Sequence, residues 1–243
     1  MVLSSETLVL PSRGYRIDPR KALLVALACW SGVALATWAV RSGHAEVLDR
    51  AGLLFWRDDT LQPDGSTKLL EGVRDVTALG GVLLRNLFAI AAVVALLFLR
   101  LRREAVLFAL TVASGWMANS ALKGLVGRAR PQIVPHLTEA GGNSFPSGHS
   151  FNAAVVYIAM ALAFAALSRR ETVRCTVIGA AIAISLAIAG SRVWLGVHWP
   201  SDVLAGWLGG CGWAFLASAL LYRPARATVD AAEAISGEDS RPQ

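Results

Sequence analysis

The chain has 243 residues, of which 55% are hydrophobic and 16% are charged, and its mean hydropathy is +0.52. A soluble domain of this length carries more charge, so this composition excludes an ordinary soluble protein and indicates an integral membrane protein. The net charge of +6 does not indicate nucleic-acid binding, because the cations lie beside apolar segments and not in a basic, aromatic-interleaved surface segment.

Six apolar segments approach the length of about 20 residues that crosses the hydrocarbon core. In chain order they are predicted at about 22–40, 79–99, 105–122, 150–167, 173–190 and 203–221. The first is too long for a signal-peptide core and no clear cleavage site follows it, so we interpret it as a retained span. The sequence therefore predicts an all-α, integral membrane bundle of six transmembrane helices over residues 22–222. A segment 1–21 would precede this bundle, and a polar tail 223–243 would follow it.

The regions that flank these segments differ in charge. Basic residues are concentrated in four regions that share one side of a six-span bundle: Arg13, Arg16, Arg20 and Lys21; Arg100, Arg102 and Arg103; Arg169, Arg170 and Arg174; and Arg223 and Arg226. By the positive-inside rule that side is the cytoplasm, so both termini are predicted to be cytoplasmic. The segment 41–78 would lie on the opposite side, and its net acidic composition is typical of a long translocated loop.

Three short polar motifs lie at the ends of the apolar segments. They are Lys123 with Arg130-Pro131, then Pro146-Ser147-Gly148-His149, and then Ser191-Arg192 with His198 and Asp202. All three fall on the non-cytoplasmic side of an orientation that was obtained from basic residues alone. Because ionisable groups at membrane depth are costly, the motifs predict one anion site at the non-cytoplasmic membrane face.

The first predicted role of these residues is to bind a phosphate. Lys123, Arg130 and Arg192 can neutralise its charge, with arginine suited to paired contacts and lysine acting as a compact point charge. Ser147 and Gly148 begin a helix, where the amides of the first turn favour an anion. No cluster of carboxylates at metal-ligand spacing accompanies the motifs, so the cations are expected to act in place of a metal.

The second predicted role is chemistry on that phosphate. His198 precedes Asp202 by four residues, so the carboxylate can fix the tautomer of the imidazole and leave its other nitrogen free to attack. His149 follows the phosphate-binding turn and is placed to protonate the leaving oxygen. Each of these residues alone would be unremarkable at a membrane surface, and only their combination indicates catalysis.

Two features inside the apolar segments stand outside the motifs. Arg85 can reach the interface, pair with Asp75 or contact the substrate, and the sequence leaves its role open. Gly206 and Gly210 form a GxxxG spacing, which permits close helix approach, and we interpret it as packing within the bundle rather than as a dimer face.

In order and spacing, the motifs resemble the complete signature of the type 2 phosphatidic acid phosphatase superfamily, in its bacterial six-span membrane branch. The resemblance implies a phosphohistidine intermediate on His198, with His149 as the acid and Asp202 as the partner of His198. It also implies phosphate contacts from Lys123, Arg130, Ser147, Gly148 and Arg192, without a metal or another cofactor. The soluble vanadium haloperoxidases share this site, but six spans and a short chain favour the membrane branch.

The function expected from this resemblance is a membrane-bound, metal-independent phosphatase of a lipid phosphate or pyrophosphate. Phosphatidic acid, phosphatidylglycerol phosphate, undecaprenyl pyrophosphate and lipid A phosphates all remain open as substrates. The expected partners are that lipid and the bilayer, without nucleic acid, and the expected location is a bacterial inner membrane with the site facing the periplasm or exterior. The alternative is a non-hydrolytic lipid-phosphate binding or transport protein, which would need the cations but not His149, His198 and Asp202.

Overall fold

The computed structural model describes residues 17–63, 65–168 and 170–238, with side chains described up to residue 220. These residues form eight helices: α1 (Pro19–Arg41), α2 (Glu46–Leu54), α3 (Thr67–Leu79), α4 (Val82–Phe98), α5 (Arg102–Val126), α6 (Gly148–Ala165), α7 (Glu171–Trp194) and α8 (Pro200–Glu238). The predicted all-α class is confirmed.

Five helices are long and apolar enough to cross a membrane, namely α1, α5, α6, α7 and the part of α8 over Pro200–Leu220. The predicted second span, at about 79–99, is α4, which has only 17 residues. Together α3 and α4 pass the same test but meet at a bend of 47° across a short break. The described residues therefore contain five candidate spans, or six when this bent pair is one span.

The segment 41–78 is not the long loop that was predicted, because it contains α2 and most of α3. The side chain of Ser66 caps α3 by accepting a hydrogen bond from the amide of Leu69 at 3.3 Å. Both helices mix charged and apolar residues. Neither therefore forms an apolar run long enough to be recognised by hydropathy within this acidic segment. These two helices are relevant to the site, because α2 and α3 both contact α7.

The helices that carry the motifs extend further than the apolar segments predict. α6 begins at Gly148 and α8 at Pro200, so His149 and Asp202 lie in first turns. α5 continues to Val126 and ends at Gly127, which has a left-handed φ of 65°. Polar residues complete the helix ends, whereas hydropathy detects only their apolar interiors.

Both ends of the chain include parts outside the described residues. Residues 1–16 of the predicted segment 1–21 lie there, as do residue 169 and residues 239–243. The backbone of α8 continues beyond the apolar span through residue 238, in the part predicted as a polar tail.

The central helix is α6, which packs against α5, α7 and α8. Two glycines of α8 allow that helix to approach the N-terminal end of α6 closely. A Cβ atom on Gly206 would lie 2.6 Å from the carbonyl oxygen of Ser147, and one on Gly210 would collide with the carbonyl oxygen of Phe151. The GxxxG spacing therefore serves packing within this bundle, as interpreted from the sequence, and it fixes the Ser147 turn against α8.

Candidate active site

The three motifs meet at one end of the bundle. They occupy the last turn of α5, the first turns of α6 and α8, the last turn of α7, and the connections 127–147 and 195–199. Direct contacts join them: Nη1 of Arg130 lies 3.0 Å from Nε2 of His198, and the amide of Ser147 donates to the carbonyl oxygen of Asp202 at 2.9 Å. The predicted convergence of the motifs is therefore present in the fold.

His198 is almost fully buried, with 2% of its surface exposed. Its Nδ1 lies 3.3 Å from the hydroxyl of Ser144 and 3.5 Å from Oδ2 of Asp202. A guanidinium can only donate hydrogen bonds, so the contact of Nε2 with Arg130 requires an unprotonated Nε2 and places the hydrogen on Nδ1. Burial lowers the pKa of His198 to about 4, although the hydrogen bond with Asp202 opposes that shift. The ring is therefore neutral at physiological pH, with a lone pair on Nε2.

Asp202 is fully buried and every contact holds its carboxylate in one orientation. Its Oδ1 accepts from Nη1 of Arg128 at 2.8 Å. Its Oδ2 accepts from the hydroxyl of Ser144 at 2.5 Å and from the amide of Trp199 at 3.0 Å. Ser144 thus contacts both Asp202 and Nδ1 of His198, and it links the carboxylate to the imidazole more closely than their own 3.5 Å separation does.

Lys123 and Arg130 are half-buried and hold the connection between α5 and α6. Nζ of Lys123 donates to the carbonyl oxygen of Asn143 at 2.6 Å. Arg130 donates from Nε to Gly142 at 3.1 Å and from Nη2 to Gly141 at 2.7 Å. Burial is also the largest cause that lowers the pKa of Arg130. The two cations flank the same three-residue stretch of backbone.

Arg192 is a buried cation with an unused donor. It is 2% exposed, and its Nη1 donates to the hydroxyl of Thr77 on α3 at 2.8 Å. Within the described part of the chain its Nε is buried without a hydrogen-bond partner. A buried donor without an acceptor is costly. An anion bound beside Arg192 would satisfy it.

The second motif forms the start of α6. The hydroxyl of Ser147 caps the helix by accepting from the hydroxyl and the amide of Ser150, at 2.9 Å and 3.4 Å. Gly148 follows, and a Cβ atom there would lie 3.5 Å from Cε of Lys123 and from Nδ2 of Asn119. The turn therefore faces the end of α5, where Lys123 supplies positive charge.

His149 is less buried than His198. Its ring is half-buried and, among the described residues, makes no hydrogen bond. It lies near enough to Arg192 and His198 to interact with both electrostatically. A Cβ atom on Gly80 would lie 3.3 Å from the His149 ring, so the glycine at the α3–α4 break leaves room for the imidazole.

The site contains polar residues that sequence reasoning missed. Thr77, Arg128 and Ser144 contact predicted site residues, and Asn119 lies beside Gly148. Asp49 contacts Arg128. Arg128 and Ser144 each lie two residues before a motif residue in the sequence, and that proximity was an available signal. Asp49 and Thr77 come from distant helices and had none.

Arg85, whose role the sequence left open, is 8% exposed. It donates to the carbonyl oxygen of Gly80 at 3.5 Å and to the side chain of Asn86 at 3.3 Å, rather than to Asp75. Its contact with Gly80 places it at the α3–α4 break, beside the space that His149 occupies.

Comparisons with known proteins agree on one family. A family model described as the PAP2 superfamily matches residues 104–226, which include all three motifs. Lipid A 1-phosphatase of Rhizobium etli is 39% identical over 127 residues, which cover 49% of this chain and 50% of that protein. Phosphatidylglycerophosphatase B of Bacillus subtilis is 36% identical over 115 residues, which cover 45% of this chain and 54% of that protein. The chain thus spans about half the length of the curated relatives it matches.

A solved structure extends the similarity to most of the fold. It is the crystal structure of a transmembrane PAP2 type phosphatidylglycerolphosphate phosphatase from Bacillus subtilis, with a TM-score of 0.64 and 29% sequence identity. The match covers 82% of this chain and 93% of that one. The structural similarity therefore extends well beyond the motif-bearing half of the chain.

Proposed function

The chain belongs to the PAP2 superfamily, and from this we propose that it is a membrane enzyme that removes phosphate from a phosphorylated lipid. The observation that carries the proposal is the state of His198. Its Nδ1 faces Ser144 and Asp202, while its unprotonated Nε2 faces the cation Arg130. A buried imidazole that presents a lone pair to a cluster of cations is suited to attack a bound phosphate.

In the proposed first step the lone pair on Nε2 of His198 forms a bond to phosphorus while the bond from phosphorus to the lipid oxygen breaks. His149 gives its proton to that oxygen, so the lipid leaves as an alcohol. The phosphorylated imidazole keeps its hydrogen on Nδ1 and carries a positive charge, which Asp202 stabilises. Arg130 must exchange its contact with Nε2 for one with a phosphate oxygen before the attack.

In the proposed second step water attacks the phosphorus, and the electron pair of the phosphorus–nitrogen bond returns to His198. His149, now neutral, takes a proton from that water and is ready for another cycle. The net change is the hydrolysis of one phosphate ester to an alcohol and inorganic phosphate.

Lys123, Arg130 and Arg192 are proposed to stabilise the charge on the phosphate oxygens during transfer. Arg192 offers the unpaired Nε described above, and Gly148 leaves space beside Lys123. Ser147 is proposed to contribute the hydrogen of its hydroxyl, since that oxygen already accepts from Ser150. Because three cations serve the phosphate, hydrolysis is predicted to need no metal.

The proposed substrates are phosphorylated lipids that present their phosphate at the membrane surface. The relatives' names specify lipid A and phosphatidylglycerophosphate, and phosphatidic acid and undecaprenyl pyrophosphate share the reacting group. The test is phosphate release by purified protein in detergent with EDTA, from each of these four lipids. Release in EDTA and inhibition by vanadate, a mimic of the transferring phosphate, are expected. Release that EDTA abolishes and a divalent ion restores would contradict metal independence, and binding without release would favour the non-hydrolytic alternative.

We further propose that the protein resides in a bacterial inner membrane with cytoplasmic termini and an outward-facing site. The support is the basic flank at the opposite ends of the motif-bearing helices. The test uses a variant without Cys29, Cys175 and Cys211 that carries one new cysteine. Glu139→Cys, in the exposed connection beside the site, should react with an impermeant thiol reagent in cells whose outer envelope admits it. Thr172→Cys, in the first turn of α7, is the matched control and should react only after lysis. The reverse pattern would contradict this orientation.

A further inference from the structure

Asp202 is held on its far side by Arg128, a residue outside the three motifs. The guanidinium of Arg128 is forked between two carboxylates: Nη1 donates to Oδ1 of Asp202 at 2.8 Å, and Nη2 donates to Oδ2 of Asp49 at 2.6 Å. Nη1 also donates to the hydroxyl of Ser201 at 2.8 Å. The ring of Trp199 lies against the cation, with Cζ 5.3 Å from its centroid. Arg128 therefore has one well-defined position between Asp202 and α2.

Asp49, on α2, completes this arrangement. It is 2% exposed and accepts from the amide of Ser201 at 2.8 Å and from its hydroxyl at 2.7 Å. The amide of Ser201 belongs to the first turn of α8, whose amides lack partners within the helix. Asp49 thus lies on a different helix but caps α8, and the amide that it accepts from belongs to the residue immediately before Asp202.

The charge of Arg128 is shared between two buried carboxylates, Asp49 and Asp202. Two buried carboxylates so close to each other would be strongly unfavourable without a cation between them. Arg128 supplies that cation, and Asp49 shares its charge. Asp202 therefore keeps negative charge available for His198, whereas an arginine paired with Asp202 alone would withdraw more of it.

We propose that Asp49 and Arg128 are a positioning pair for Asp202, through which α2 takes part in setting the orientation and tautomer of His198. Neither residue reaches the reacting atoms, so both act through Asp202. The proposal rests on the proposed phosphatase function for its kinetic consequences but not for its structural ones. A pair that only attaches α2 to the bundle would predict a loss of folded protein, with unchanged chemistry in the molecules that fold.

Kinetics distinguish these two roles. Arg128→Gln should lower kcat by about 10- to 100-fold, the range typical of residues that orient an active-site ligand, with KM changed by less than about 3-fold. Asp49→Asn should lower kcat by about 3- to 10-fold, because Arg128 still holds Asp202. Arg128→Lys, which keeps the charge but not the fork, should fall between the wild type and Arg128→Gln. Asp59→Asn, an exposed carboxylate in the connection after α2, is the matched control and should leave kcat unchanged.

The double variant tests whether the two residues act as one unit. Arg128→Gln combined with Asp49→Asn removes a cation and a carboxylate together, so no unpaired Asp49 remains buried. Its loss of kcat should be close to that of Arg128→Gln alone, rather than the product of the two single losses. If the loss of kcat in the double variant equals the product of the two single losses, the two residues act independently and are not a unit.

The tautomer of His198 supplies a measurement that does not require activity. The chain has four histidines, so ¹⁵N-histidine labelling gives four imidazoles, and His198→Ala assigns the signal. In the wild type His198 should carry its hydrogen on Nδ1, and in Arg128→Gln part of the population should carry it on Nε2.

If Arg128→Gln does not fold, the same measurements on the double variant and on Arg128→Lys test the proposal. Unchanged kcat and an unchanged tautomer in the folded variants would overturn the proposal. A wild type that releases no phosphate from any lipid would contradict the proposed function alone, since the tautomer still decides the role of the pair.

Discussion

The two histidines of the site occupy contrasting environments. His198 is 2% exposed, and both of its ring nitrogens have partners, with Arg130 on one side and Ser144 and Asp202 on the other. His149 is half-buried, and its ring makes no hydrogen bond within the part of the chain that the structure describes. The side that carries His198 is organised before any substrate binds, which lowers the cost of reaching the transition state.

The surroundings of His149 are suited to a different task. The site also contains buried polar atoms without partners among the described residues, namely Nε of Arg192 and Oδ1 of Asn119. A group that must meet a leaving oxygen has to remain free until the substrate arrives. The contrast fits the proposed roles, attack by His198 and proton transfer by His149, and the following variants test them.

The largest expected effect is the loss of the group proposed to attack. His198→Ala should lower kcat by about 10⁴-fold or more on a lipid phosphate and on an activated aryl phosphate alike, because no leaving group compensates for a missing nucleophile. The measurement is phosphate release from both substrates by purified protein. If the variant still hydrolysed the activated aryl phosphate, His198 would not be the nucleophile.

The next effect depends on the leaving group. His149→Ala should lose about 10²- to 10⁴-fold on a lipid phosphate, the usual contribution of general acid catalysis. It should lose far less on an activated aryl phosphate, whose leaving oxygen needs little protonation, provided that this small substrate enters the site. The ratio of the two activities in the variant and the wild type gives the result. Equal losses on both substrates would contradict the role of His149 as an acid.

A smaller effect tests the link between the imidazole and its carboxylate. Ser144 contacts Nδ1 of His198 and Oδ2 of Asp202, so Ser144→Ala should lower kcat by about 10-fold with little change in KM, as expected for one hydrogen bond to a charged group. Ser120→Ala, whose hydroxyl donates only to the carbonyl oxygen of Trp116 in its own helix, is the matched control. Equal kcat values for Ser144→Ala and this control would show that Asp202 orients His198 without help from Ser144.

The smallest expected effect is a null response to pH. Burial lowers the pKa of His198 to about 4, so its ring should remain neutral as the pH rises from 5 to 8 and gain a proton only in more acidic solution. The ¹⁵N signals of His198, assigned with His198→Ala, should therefore not move over that range. A titration midpoint near the ordinary value of about 6.5 would show that the site is wetter than the contacts of His198 indicate.

The same contrast explains how much of the molecule the sequence predicts. The sequence predicts His149, His198 and Asp202 as site residues because each lies at the end of an apolar segment, and helix ends on one face of a bundle lie close together. The partners that hold Asp202 are harder to find. Arg128 and Asp49 are 79 residues apart, and Asp49 and Ser201 are 152 apart. No local pattern connects positions at such separations.

The errors in the fold have a related cause. Hydropathy identified α1, α5, α6, α7 and α8, because each has an apolar interior of nearly membrane length. It missed α2 and α3, whose apolar faces are short and alternate with charged residues. The helix ends were also shifted by several residues, since the polar groups that cap a helix belong to it but lower its mean hydropathy. These polar ends and short helices are where the site lies.

The central claim, that His198 forms a bond to phosphorus, has a direct measurement. When wild-type protein reacts with a ³²P-labelled lipid phosphate, rapid quenching in alkaline denaturant should trap a labelled phosphoprotein, and later treatment with acid should release the label. The label should be absent in His198→Ala and present in His149→Ala when the substrate is an activated ³²P-labelled aryl phosphate, because the nucleophile remains there. Label that persists in His198→Ala and disappears in His149→Ala would contradict the account and reverse the roles of the two histidines.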